Sequence, residues 1–153
     1  MKVLVVYDST YGNTEEIARA VAQAIGASTL RAAELDPAQL NALDLLIIGS
    51  PTHGGFPTPS IDALLKAPAG LRGAKVAVFD TRTKTTVFGY AAPKMARTLQ
   101  KAGAQVVAPP EGFYVRGTRG PLLDGEAQRS AEWAKRLSPL TDSRSAPGRE
   151  LMA

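Results

Sequence analysis

The sequence predicts an α/β domain of three layers: a doubly wound, five-stranded parallel sheet in the order 2-1-3-4-5, with helices on both faces. Three observations carry that expectation. The apolar runs Val3 to Val6, Leu45 to Ile48 and Val76 to Phe79 are too short for helices and have the composition of strands buried on both faces. Segments with apolar residues at helical spacing alternate with these runs, and right-handed crossovers between parallel strands leave few arrangements for such a chain. The first strand runs into a turn suited to phosphate, and in open α/β sheets ligands bind where the strand order reverses, here between strands 1 and 3.

Each element has a local reason. After the first strand and the turn Ser9-Thr10-Tyr11-Gly12-Asn13-Thr14, the residues Ile17, Val21 and Ile25 recur every four positions, with Ala18, Ala22 and Ala24 on the same side. Asn13 is the expected N-cap, with Glu16 completing a capping box. Ser28 to Arg31 is weakly apolar and fits an edge strand. Asp36-Pro37 opens a short turn or helix, Asp36 capping and Pro37 at the first helical position. Leu45 to Ile48 delivers the loop Gly49-Ser50-Pro51-Thr52-His53-Gly54-Gly55-Phe56-Pro57, and Ser60 precedes a short helical pattern through Ile61, Leu64 and Leu65. Val76 to Phe79 ends at Asp80-Thr81-Arg82-Thr83-Lys84. A helix from Tyr90 to Ala102 follows, striped by Met95 and Leu99 and stopped by Gly103. Gln105 to Ala108 and Gly112 to Val115 read as two pieces of one last strand, separated by Pro109-Pro110. Gly125 to Leu137 closes the domain as a helix whose candidate buried residues are Ala127, Ala131, Trp133 and Ala134. The domain is expected to span 1–137, and the Ser-, Pro- and Arg-rich stretch 138–153 to be a mobile tail.

Composition narrows the function. The 153 residues suit one domain, the absence of cysteine removes disulfides, thiolate metal sites and cysteine nucleophiles, and the single histidine, His53, cannot build a metal site with others. No run of 18 apolar residues exists and the chain enters a strand directly, so a cytoplasmic protein without a membrane span is expected. Of the charged groups, residues 1–71 carry 4 basic and 7 acidic, residues 72–119 carry 9 and 2, and residues 120–153 carry 5 and 5. The middle stretch is strongly basic but lacks the interleaved aromatics of a nucleic-acid surface. Lys94, Arg97 and Lys101 lie at helical spacing and read first as a solvated helix face; Arg116 and Arg119 read as surface charges or a docking site.

The turn after strand 1 concentrates donors. Ser9, Thr10, Asn13 and Thr14 offer side chains to phosphate oxygens, Gly12 permits close backbone approach, and the helix N-terminus favours an anion by about 0.3 to 1 kcal/mol. No Lys or Arg lies between Asp8 and Glu16, so a phosphate here is held by neutral donors. An ordinary polar strand-to-helix turn uses the same residue types.

Tyr7-Asp8-Ser9-Thr10-Tyr11-Gly12-Asn13-Thr14-Glu15 resembles the phosphate loop of the flavodoxins, usually S/T-x-T-G-N-T, and the loops after strands 3 and 4 are similar in placement to the two that enclose the flavin ring in that family. The resemblance in element order covers residues 1–137. It implies flavin mononucleotide (FMN) as cofactor and electron transfer between protein partners as activity. Carried over, Ser9, Thr10, Asn13 and Thr14 with the Gly12 amide hold the phosphate, Tyr11 belongs to the same cofactor-binding loop, Pro51, Thr52, His53, Gly54 and Gly55 line the dimethylbenzene and N5 side, and Asp80, Thr81 and Arg82 line the pyrimidine side. No residue is assigned a catalytic role. His53 stands where the family usually has a ring-stacking aromatic, and Thr85 and Thr86 stand near the second such position, with Phe88 and Tyr90 close by. The family is also usually acidic around the flavin, whereas this chain is basic there. That contrast implies a protein partner with an acidic docking face and an Arg82 that stabilises negative charge on the reduced ring.

Other readings of the fold lack their residues. There is no Gly-Lys-Ser/Thr for a P-loop, only one glycine in the first turn for a dinucleotide site, no acid at the end of strand 3 for a receiver domain, and Ile48 where a nucleophile elbow needs glycine. An FMN-dependent reductase of a quinone or porphyrinogen, and a flavin-free interaction domain, remain as alternatives to the electron carrier.

Overall fold

The computed structural model describes residues 1–67, 70–85 and 87–142. Its strands are β1 (Val3–Tyr7), β2 (Ser28–Arg31), β3 (Leu45–Pro51), β4 (Lys75–Arg82), β5 (Gln105–Val106) and β6 (Glu111–Tyr114). Its helices are α1 (Asn13–Ile25), α2 (Pro59–Leu65), α3 (Ala91–Lys101) and α4 (Glu126–Asp142), with short 3₁₀ turns at Ala32–Glu34 and Pro37–Leu40. All strand pairs are parallel and the sheet order is 2-1-3-4-5, as the sequence predicts, with β6 also paired to β4.

The sixth strand is the second half of the fifth. β5 pairs with the start of β4, Lys75 opposite Gln105, and β6 pairs with its end, Phe79 opposite Glu111 through Arg82 opposite Tyr114. Pro109 and Pro110 lie in the gap, where prolines without N–H groups cannot continue a ladder. The expectation of one strand in two pieces holds, and the break feeds residues 115–121 onto the edge of the sheet where β1, β3 and β4 end.

Alternation along the strands divides the core into two layers. Leu4, Val6, Ile48, Val76 and Val78 face α2 and α3, where Met95 and Leu99 are fully buried. Val3, Val5, Tyr7, Ile47 and Phe79 face α1 and α4. In that second layer Phe79, Phe113 and Trp133 meet edge to face with centroids 5.9 to 6.0 Å apart, a favoured aromatic geometry.

Three local expectations shift. Gly12, with φ 94°, occupies the cap position of α1 in place of Asn13, and no side chain caps there. The Ser9 hydroxyl, three residues upstream, instead accepts the Gly12 and Glu15 N–H groups at 3.1 and 3.3 Å. At the C-terminus α4 runs on to Asp142, so 138–142 belong to a helix rather than a tail, and 143–153 lie outside the described residues. On α4 the buried side is formed by Ser130, Trp133, Ala134 and Leu137, with Ala127 and Ala131 only half-buried. Among the described residues no helix is long and apolar enough to cross a membrane.

Gly49 in β3 leaves room for the Phe79 ring: a Cβ there would fall 2.0 Å from Phe79 Cζ. Gly49→Ala is expected to destabilise the fold by about 1 to 3 kcal/mol through overpacking. Urea unfolding should show a lower midpoint at unchanged slope, and an unchanged midpoint would refute the packing argument.

Candidate functional site

Four loops meet at the carboxyl edge of the sheet. The first, residues 8–12, leaves β1. Its start is fixed by Asp8, whose carboxylate accepts the Ser9 N–H and the Ser60 hydroxyl, each at 2.9 Å, with Arg31 at 3.8 Å. Burial pushes the Asp8 carboxyl up, but hydrogen bonds and the Arg31 charge outweigh it and hold the group below its ordinary value. Beyond Asp8 the loop turns so that two N–H groups converge on Ser9 Oγ at the start of α1, where the first amides of a helix have no intrahelical partner.

The second loop leaves β3. Thr52 extends the ladder by donating its N–H to Thr81 O at 3.0 Å, and His53 and Phe56 then close a tight turn through two backbone bonds of 2.8 and 3.0 Å. The two central residues, Gly54 and Gly55, have φ 57° and 88°, positive values that a primed hairpin turn needs and that glycine adopts without strain. Across the mouth, His53 Nε2 lies 3.3 Å from Thr10 Oγ1, joining the first loop to the second.

The third loop leaves β4 and is anchored by a buried charge. Asp80 has no solvent exposure; it accepts two bonds from Arg82, at 2.6 and 2.8 Å, and the Ala92 N–H at the start of α3, at 2.8 Å. Burial pushes the Asp80 carboxyl up, opposed by Arg82 and the Ala92 N–H. The Arg82 guanidinium lies 3.6 Å from the centre of the Tyr90 ring, and it fits because residue 112 is glycine: a Cβ there would fall 2.1 Å from Arg82 Nε. Lys94 of α3 straps the third loop to the second, donating to Gly55 O at 2.5 Å and Phe88 O at 2.9 Å.

The fourth loop, residues 115–121, is brought in by β6. Asn13 holds it, donating from Nδ2 to Arg119 O at 3.2 Å, and Gly120 packs directly on the Asn13 amide. β6 itself is held to α4 by Glu126, which accepts the Tyr114 N–H at 2.8 Å and two bonds from Arg129, at 2.9 and 2.8 Å.

These loops enclose a cavity of about 460 Å³, within the range of small-ligand sites. Thr10, Tyr11, Asn13, Thr14, Pro51, Thr52, His53, Gly54, Gly55, Thr81 and Arg82, eleven of the residues singled out in the sequence, line it. Ser9 and Gly12 shape its edge without lining it. Asp80 departs from expectation: its carboxylate faces inward to Arg82 and α3, so it supports the wall and does not contact the cavity. Thr14 lines the cavity but is buried, and its hydroxyl already shares a 2.7 Å hydrogen bond with Thr81. Sequence reasoning missed Thr83, Val115 and Thr118, and placed Tyr90 only nearby although it lines the wall. Thr86 lies outside the described residues.

A doubly wound sheet with an amide- and hydroxyl-rich turn after its first strand, beside the point where the strand order reverses, defines an open α/β protein of the doubly wound class. The chain belongs to the flavodoxin family, whose model matches residues 5–136. Solved structures agree on the fold. A flavodoxin from the domain Archaea superposes with a TM-score of 0.80 at 20% identity, covering 94% of this chain and all of that one. Flavodoxin 2 from Bacillus cereus gives 0.74 at 24% identity, covering 88% and 96%. Rubredoxin oxygen:oxidoreductase from the anaerobe Desulfovibrio gigas gives 0.77 at 19% identity, covering 95% of this chain but 37% of that longer one. Among curated proteins none matches this sequence.

The Glu126 anchor makes the fourth wall pH-sensitive. Hydrogen bonding from Arg129 holds its carboxyl below the ordinary value against the opposing effect of burial. A lowered folded-state value means that the stabilisation is present above the unfolded carboxyl's titration and is lost as pH falls through the folded one. Glu126→Gln is therefore expected to cost about 1.5 to 3 kcal/mol at neutral pH. The gap to the wild type should narrow as denaturation is repeated at progressively acidic pH; a gap independent of pH would remove the ionic account.

Proposed function

We propose that this protein binds FMN and passes electrons between protein partners. The observation that carries the reading is the cradle at the start of α1: N–H groups of residues 12 and 15 converge on one oxygen, Ser9 Oγ, at the positive end of a helix, beside a cavity walled by loops from β1, β3, β4 and β6. Such a donor set fits a phosphate, and the chain supplies it without a cation between Asp8 and Glu16. FMN, when bound, supplies the redox chemistry, and the protein supplies binding, orientation and electrostatics.

In this reading the first-turn amides and the Thr10 hydroxyl hold the phosphate, with Asn13 fixing the fourth loop and Thr14 tying α1 to β4. Pro51 to Gly55 provide one wall for the ring, and Thr81, Arg82, Thr83 and Tyr90 the other. The rigid His53-Gly54-Gly55-Phe56 turn presents backbone rather than an acid or base to the ring edge. Arg82 tunes the ring's potential less than its charge alone implies, because Asp80 compensates that charge at 2.6 Å. The electron-carrier reading is favoured over a reductase by the exposed apolar groups around the mouth: Phe56 is 59% exposed and Phe88 66%. They suit contact with another protein surface. The basic stretch 72–119 points to a partner with an acidic face.

Ser9→Asp tests the cradle. A carboxylate at the point of convergence would accept the same amides and stabilise the helix start, yet repel a phosphate. FMN affinity is expected to fall more than about tenfold, given charges a few ångströms apart, while riboflavin affinity changes little and Tm does not fall. Titrations followed by flavin fluorescence measure both ligands. Equal losses would remove the phosphate assignment, and no binding of FMN by the wild type would remove the function.

A further inference from the structure

A second concavity, of about 370 Å³, runs between α2 and α3 and begins where the site ends. Gly55 lines the FMN-sized cavity and its neighbour Phe56 lines this groove. Lys66, Lys94, Arg97 and Lys101 supply four positive charges along it against one carboxylate, Asp62, which is already paired to Lys66 at 2.8 Å. Arg97 and Lys101 are exposed and form no ion pair among the described residues. Lys94 gives two N–H groups to Gly55 O and Phe88 O and packs 3.8 Å from the centre of the Phe56 ring.

We infer that this groove is the docking site for an extended acidic segment of the protein partner, an inference that rests on the electron-carrier reading and adds where the partner is held. The spacing selects the occupant. Lys94, Arg97 and Lys101 follow one face of α3, and seven residues of helix place the first about 10 Å from the last. A compact phosphate cannot reach both ends. An extended chain presents same-side groups about every 7 Å, so alternate carboxylates meet successive cations. The cations are hydrated point charges on flexible stems, which suits distributed carboxylates and a fast, salt-sensitive encounter. Because the turn at residues 53–56 belongs to both cavities, a segment held here brings the partner's surface onto the mouth of the site.

The probe is a fluorescein-labelled octapeptide of alternating glutamate and leucine, titrated with the full chain and read by fluorescence anisotropy, with and without added FMN. The double variant Arg97→Glu/Lys101→Glu is compared with Lys135→Glu/Arg136→Glu on the exposed side of α4, across the sheet, which changes net charge equally. Groove reversal is expected to weaken binding at least about tenfold, and α4 reversal less than about threefold. Arg97→Gln/Lys101→Gln, which removes charge without reversing it, should lie between wild type and groove reversal and covers the case in which the reversed variant does not fold. Equal losses in the groove and α4 variants, or no binding of the peptide by wild type, would overturn the docking site. Peptide binding without FMN binding would leave the groove standing and remove the cofactor reading instead.

Discussion

The site depends on one buried carboxylate. Asp80, near the end of β4, has no solvent exposure and is tolerated there because it meets a two-pronged guanidinium and a helix-start amide together. Those partners belong to different walls. Arg82 carries the Tyr90 contact and lies against β6 at Gly112, while Ala92 starts α3, the helix whose Lys94 straps the second and third loops. Removing the carboxylate would leave a half-buried guanidinium without its carboxylate and the Ala92 N–H without its acceptor, so its influence reaches every loop except the first.

Charge in this protein is therefore sorted by depth. Arg82, which lines the cavity, is compensated by Asp80, whereas Arg97 and Lys101 on the exposed side of α3 form no ion pair among the described residues. Within the basic stretch of the sequence, one cation is thus drawn into an inner pair that shapes the cavity while others stay on the exposed surface.

Much of this was legible from local pattern. The strand runs, the Gly103 stop, the Asp36-Pro37 start and the Pro109-Pro110 break each express a constraint acting within a few residues, and each falls where expected. The polar turn after β1 was legible because its residue types all suit an anion. The rest was hidden because it depends on partners far along the chain. Asn13 looks like a cap until residue 119 is placed beside it, and Arg82 looks like a free cation until Asp80 turns inward. Thr118 gave no signal by itself; only the register of β6 against β4 brings it to the cavity. The cap of α1 moved by one residue because Ser9, outside the helix, reaches the amides first.

Trp133 is the chain's one tryptophan, and it sits 4% exposed in the aromatic trio between α4 and the sheet. Neither it nor Phe79 nor Phe113 lines the four-loop cavity. Its emission is thus a built-in optical gauge of one layer, the α1/α4 side. In solution, that gauge would report how well the back of the sheet is packed, separately from the loops at its edge.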